Sequence, residues 1–315
     1  MGDPVLIGIR FALYANLMLA VGLAALPLYS MTQSERRGPE PMATIWRLER
    51  WLCATALILS TLGMGVLAAS MQGFSLMSLE FDAFRGLIQE TDVGTAWIYR
   101  SAGILVALAT AIWLTRWPTV AAALLAASGS VAFATLVWSG HAAATEGVAG
   151  TVHRLSDMLH MIAAAVWIGA IVGFLILTSP QARRQVPGGT RLASRSLDQF
   201  SRIGTICVLV IAATGLINSQ MIIGIEQFVQ LQPSLYGQLL LAKLALFGLM
   251  LTLAAANRWR FGPRLAAAVA RSGDQLPDAP FLAMRRSLIL EASAALVILA
   301  IVGWLGTLEP LTGAA

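Results

Sequence analysis

Charge is what this sequence has least of. Of its 315 residues only 12% are Asp, Glu, Lys or Arg, while 57% are hydrophobic. Soluble domains carry about 25% charged residues. A chain so poor in charge cannot coat a water-soluble globule, and lipid is its natural solvent. Cysteine is nearly absent. Cys53 and Cys207 both fall in apolar runs, which excludes a disulfide framework and a CxxC metal pair and suits two small buried hydrophobes. There is no Walker motif, so nothing suggests an ATP-driven pump. A basic n-region and a small-residue cleavage site are also missing around the first apolar run, which reads as a retained helix.

What is present is a series of apolar windows of spanning length, about 20 residues each. There are eight: 5–29, 51–71, 96–115, 118–140, 155–179, 203–225, 235–256 and 287–308. The fold class expected is all-α, a polytopic bundle of about eight transmembrane helices forming a single membrane domain. Residues 72–95 mix Phe74, Phe81, Phe84 and Leu87 with acids, as in a short amphipathic helix on a membrane surface. Residues 262–281, with Pro263, Pro277 and Pro280, read as a polar loop.

Orientation follows from the basic residues. Sixteen of the 21 fall in the loops after odd-numbered helices: Arg36, Arg37, Arg47, Arg50, Arg116, Arg183, Arg184, Arg191, Arg195, Arg202, Arg258, Arg260, Arg264, Arg271, Arg285 and Arg286. The opposite loops carry Glu80, Asp82, Glu90, Asp92, Glu146 and Glu226. By the positive-inside rule both termini face outward, to the periplasm of a Gram-negative cell. This asymmetry accounts for the net charge of +5 without nucleic acid as a partner; lipid is the expected surroundings.

Ionisable groups inside a bilayer are costly and are functional candidates by default. Arg10, Arg100, His153, Arg154, Asp157, His160, Asn218 and Lys243 come out at comparable depth in the outer half, counting 1.5 Å per residue. Glu291 is placed apart, near the inner end of the last helix. His153, Asp157, His160, Ala164 and Trp167 share one face of the fifth helix. Asp157, one turn from each histidine, is placed to hold a ring nitrogen and leave the other for a metal. His141, His153 and His160 are the chain's only histidines and fall on one side of the membrane. Three imidazoles without other strong nitrogen ligands suit copper or haem iron. A structural, hydrogen-bonded role is the alternative, and His153 and His160 are too far apart on a straight helix to share one ion. Met64, Met71, Met158 and Met161 add thioethers, for which core packing is the simpler reading. The basic residues outnumber Asp157 and would repel a free cation. They therefore either pair with acids, snorkel to headgroups or bind something anionic such as haem propionates.

Several stretches resemble the CopD-type copper resistance membrane proteins. They are Thr91-Asp-Val-Gly94-Thr-Ala-Trp97-Ile-Tyr-Arg100, His160-Met-Ile-Ala-Ala-Ala-Val-Trp167-Ile-Gly169 and Thr214-Gly215-Leu-Ile-Asn218. Tyr236-Gly237…Lys243 with Asn257-Arg258, and Arg286-Ser287 with Glu291 and Glu309-Pro310, complete the series in order. The resemblance implies a bacterial inner-membrane protein of copper homeostasis. It would move copper, commonly inward, beside a separate periplasmic CopC-like copper-binding partner. His141, His153 and His160 would then be metal ligands. Asp157, Trp167, Asn218, Lys243 and Glu291 would support or couple, and Arg10, Arg100 and Arg154 would line the pocket. The alternative is a membrane redox protein holding haem b through histidines, since the fifth-helix stretch also looks distantly like membrane haem proteins of the HemJ type.

Overall fold

A computed structural model describes residues 4–72, 81–140, 145–186, 188–224, 234–272 and 278–308. Among them every regular element is helical, and eight helices are long and apolar enough to cross a membrane. In lipid this is the expected outcome, because each backbone N–H and C=O must find its partner within the segment.

The spanning helices are α1 (Pro4–Ser30), α3 (Pro39–Gln72), α5 (Asp92–Trp113), α6 (Pro118–Ala134), α7 (Gly147–Leu177), α9 (Gly189–Ile222), α10 (Leu235–Ala256) and α12 (Ala279–Leu305). Short helices α2 (Gln33–Arg37), α4 (Phe81–Glu90), α8 (Pro180–Gln185) and α11 (Gly262–Ser272) lie between them. A 3₁₀ turn, Thr135–Ser139, continues α6, and a π-helical turn, Asn257–Phe261, joins α10 to α11.

Local chemistry fixes the helix starts. Thr91, Ser179 and Ser234 each accept a backbone N–H three residues on, and Pro118 and Pro180 open their helices. At the arginine-rich end, guanidiniums close the helix C-termini. Arg36 Nη1 donates to Pro27 O and Met31 O (2.9 and 2.6 Å), and Arg285 Nη1 donates to Leu175 O (2.5 Å). A cation there offsets the negative end of the helix dipole. Arg195 pairs with Glu35, and Arg183 pairs with Asp278 while its guanidinium lies 3.9 Å over the Phe281 ring.

α1 is the central staff. It packs against α3, α6, α7 and α12, and α7 packs in turn against α9 and α12. Small residues set the approach: Gly22 of α1 lies against Gly169 of α7, and Gly103 of α5 against Ser128 and Ala132 of α6. α10 leans on α12, and α9 and α10 are the least buried of the spans.

Three sequence expectations need correction. Residues 262–281 are not a plain loop, because Gly262–Ser272 is helical with Leu265 and Val269, one turn apart, both buried. Pro263 is harmless in the first turn, where no N–H is needed. α7 begins at Gly147, two turns before His153. α12 begins at Ala279, with Phe281 and Met284 buried, so Glu291 stands at the middle of its helix rather than near an end. The amphipathic stretch contains α4, whose Leu87 packs on Met64 and Ala68, and α5 follows directly at Asp92.

Candidate functional site

The arginine-poor half of the bundle contains a polar cluster carried by α7, α9 and α10. On α7, Asp157 and His160 are half-buried. They face α9, where three residues receive them. His160 Nδ1 is 3.0 Å from Thr214 Oγ1, the ring lies over Gly215, and Asn218 Nδ2 donates to Asp157 Oδ1 at 3.2 Å. Ser156 Oγ also donates to Thr214 O at 3.2 Å. Thr214, Gly215 and Asn218 share a face by the i, i+1, i+4 spacing, so the Thr-Gly-x-x-Asn stretch is a cradle for Asp157 and His160.

The hydrogen bonds decide the tautomer. Thr214 has one hydroxyl proton, and Val210 O takes it at 2.5 Å. Oγ1 therefore accepts from His160 Nδ1–H, which leaves the Nε2 lone pair for another partner. The spacing on α7 suggests Asp157 as the group that orients a histidine. Instead threonines hold both rings: His153, 2% exposed, has its Nδ1 3.0 Å from Thr145 Oγ1. Asp157 is held by Asn218.

The basic residues divide into two groups. Arg10 Nη1 donates to Gly306 O at 3.2 Å, fastening α1 to the end of α12. Arg100, buried, donates through Nε to Ser60 Oγ at 2.8 Å, while Trp97 Nε1 donates to Ser60 O at 3.2 Å. Gly94, one turn earlier on α5, lets α4 approach instead, since a Cβ there would strike the carbonyls of Leu87 and Ile88. Arg154 donates to Thr145 O at 3.3 Å. These three arginines are tied to backbone or hydroxyl groups and serve the scaffold. Lys243 of α10 differs: it is half-buried and interacts electrostatically with Asp157 and His160. Tyr14, missed from the sequence, lies within electrostatic reach of Arg10, Arg100 and Asp157, with its ring edge-on to Phe133.

His141 lies outside the described residues. Among the described residues no three His, Cys, Asp or Glu side chains converge as a metal cage. Met64 and Met161 are buried in apolar packing, and Met71 is exposed. Trp167 packs edge-on against Phe247 with ring centroids 6.0 Å apart. Beyond it, toward the arginine-rich end, Glu291 accepts from Asn257 Nδ2.

Residues 1–151 match the family model described as copper resistance protein D-like, N-terminal domain, and residues 194–305 match copper resistance protein D. The chain is 37% identical over 313 residues to copper resistance protein D of Pseudomonas syringae pv. tomato, covering 98% of each protein. The chain belongs to the copper resistance protein D family. It is also 28% identical over 312 residues to inner membrane protein YebZ of Escherichia coli (strain K12), covering 96% of this chain and 98% of that one. A 118-residue segment is 38% identical to copper transport protein CutJ of Bacillus subtilis (strain 168), 38% of this chain and 20% of CutJ. No solved structure matches. With its eight apolar helices, this member of the family is a multi-pass inner-membrane protein of copper resistance and homeostasis.

Proposed function

We propose that this protein moves copper across the inner membrane, receiving it at the arginine-poor, periplasmic face near His141 and His153 and passing it to His160 and Asp157. The observation that carries the reading is the fixed His160 ring, with Thr214 on Nδ1 and Nε2 left for a ligand, one turn from a carboxylate. An imidazole and a carboxylate form an incomplete set for a resident metal but suit a transient stop for a moving ion. Asn218 and Lys243 set the charge and position of Asp157, Trp167 closes the cluster below, and Glu291 serves coupling. Both termini then lie in the periplasm, by the arginine asymmetry. A CopC-like periplasmic protein is the copper donor.

Haem b is the second reading, resting on the imidazoles and on a surplus of cations for its propionates. Arg10, Arg100 and Arg154 are engaged in scaffold bonds, which weakens the latter ground. One experiment tests both readings. Purified protein is assayed for metal and for its optical spectrum, and proteoliposomes are assayed for copper uptake from a copper-loaded CopC-like donor. Uptake lost in H160A, from a preparation without a Soret band, supports copper movement. A Soret band lost in H160A, or uptake unchanged in H160A, overturns it.

A further inference from the structure

Glu291 stands apart from the cluster around Asp157. Glu291 lies about 20 Å away, judged from the 14 residues between Lys243 and Asn257 on one helix. It is 2% exposed at the middle of α12. Its carboxyl accepts from Asn257 Nδ2, and Asn257 Oδ1 is buried with no hydrogen-bond partner. Asn257 begins the π-helical turn, in which Gly262 N–H reaches back five residues to Asn257 O. Such turns are frequent at functional sites.

Both residues line a cavity of about 510 Å³ between α7, α9, α10, α11 and α12. Trp167 is also on its wall, with its ring edge-on to Phe247 of α10. Arg258 and Trp259, on the arginine-rich side, line it too. Charged groups on the wall are Asp198 of α9 and Arg258 of the π turn, besides Glu291 itself. Of the other elements packed on α12, α1 carries Arg10, at Gly306, with Tyr14 and Tyr29; α11 carries Arg264 and Arg271 and the π turn Arg260, all three exposed. Lys243 of α10 and the α7 charges belong to the distant cluster.

We propose that Glu291 and Asn257 form a proton-binding site, loaded from the arginine-rich face through this cavity and separate from the copper cluster. One amide donor does not compensate a buried carboxylate. A proton on Glu291 removes the charge and supplies the O–H that Asn257 Oδ1 requires, closing a reciprocal acid–amide pair. On release the proton passes to water in the cavity, and the carboxylate keeps the Asn257 Nδ2 bond. A metal ion is poorly served here, because copper needs nitrogen or sulfur donors and hard cations need six or more oxygens. That the proton is exchanged against copper rests on the function proposed above. The proton site itself does not.

The test is infrared difference spectroscopy on copper-free protein in lipid, titrated with acid and base. Wild type is expected to show the carbonyl band of a protonated carboxyl that fades as pH rises. The band should vanish in E291Q, persist in D157N and move to higher frequency in N257L, which removes the amide bond. A band retained in E291Q, or none in wild type at any pH, overturns the site. In proteoliposomes, E291Q uptake should lose its dependence on the pH gradient. If that dependence persists, the coupling is overturned. Should wild type move no copper at all, the transport reading fails while the infrared result stands on its own.

Discussion

Gly22 of α1 and Gly169 of α7 touch backbone to backbone. A Cβ built on Gly22 would stand 2.6 Å from Gly169 Cα, and Leu26 fills the next turn against Gly173. The glycine that closes the His160…Trp167-Ile-Gly169 stretch is therefore a packing residue, holding α7 and its site against α1. G169V and G22V should each cost at least about 1–3 kcal/mol through overpacking and lower the Tm in detergent by several degrees. G8A, where nothing lies within 4 Å, should leave it unchanged. Equal Tm values for all three variants would refute the crossing.

Thr214 fixes the His160 tautomer, so its loss should reach the metal without touching it. T214V should weaken copper binding about 10–100-fold, the usual cost of losing an outer-shell partner, and T214S should restore it. Competition titration of the purified protein reads both. If T214V binds as tightly as wild type, His160 is not the ligand.

Lys243 opposes a cation bound near Asp157. Removing the charge in K243M should tighten copper binding about tenfold, equivalent to about 1.4 kcal/mol, and D157N should weaken it at least as much. Raised salt should blunt neither effect greatly, since the pair is shielded from bulk solvent. Affinities that ignore both substitutions would place copper elsewhere.

Asp278 sits at the arginine-rich end, outside the spans. The hydrogen bond from Arg183 holds its carboxyl below the usual carboxylate range, helped by the nearby charge of Arg184. A lowered folded value means that the latch stabilises fully above about pH 4, the unfolded value, and fades as pH falls through the folded one. D278N should therefore lower the Tm at neutral pH and have no effect in strong acid. A D278N deficit that is independent of pH would show that charge plays no part.

The eight spans were legible because hydropathy alone decides which segments enter lipid. Their ends were not. α12 starts two turns before its apolar window because Arg285 and Arg286 interrupt the hydropathy while Phe281 and Met284 still pack. The belt of ionisable residues was legible too, since hydrocarbon makes each one conspicuous. Its wiring was not. Thr214, Ser60 and Tyr14 are unremarkable in an apolar helix, where hydroxyls commonly bond their own i−4 carbonyl, as Thr214 also does, and Thr145 is one more small polar residue in the connection before α7. The i, i+4 spacing of Thr214 and Asn218 was the available clue. The arginines misled for a related reason: sequence shows a charge, and only the fold shows that Arg10 and Arg100 spend it on a carbonyl and a serine.

The bond from Arg10 to Gly306 spans 296 positions of the chain. Ribosomal synthesis delivers the guanidinium 296 positions before its acceptor. Through most of biogenesis, then, the first helix must sit in the bilayer with an unanswered cation and an unfilled flank. It waits for α7 and then α12 to leave the translocon and close around it, so a stalled or truncated chain would expose that flank to membrane quality control.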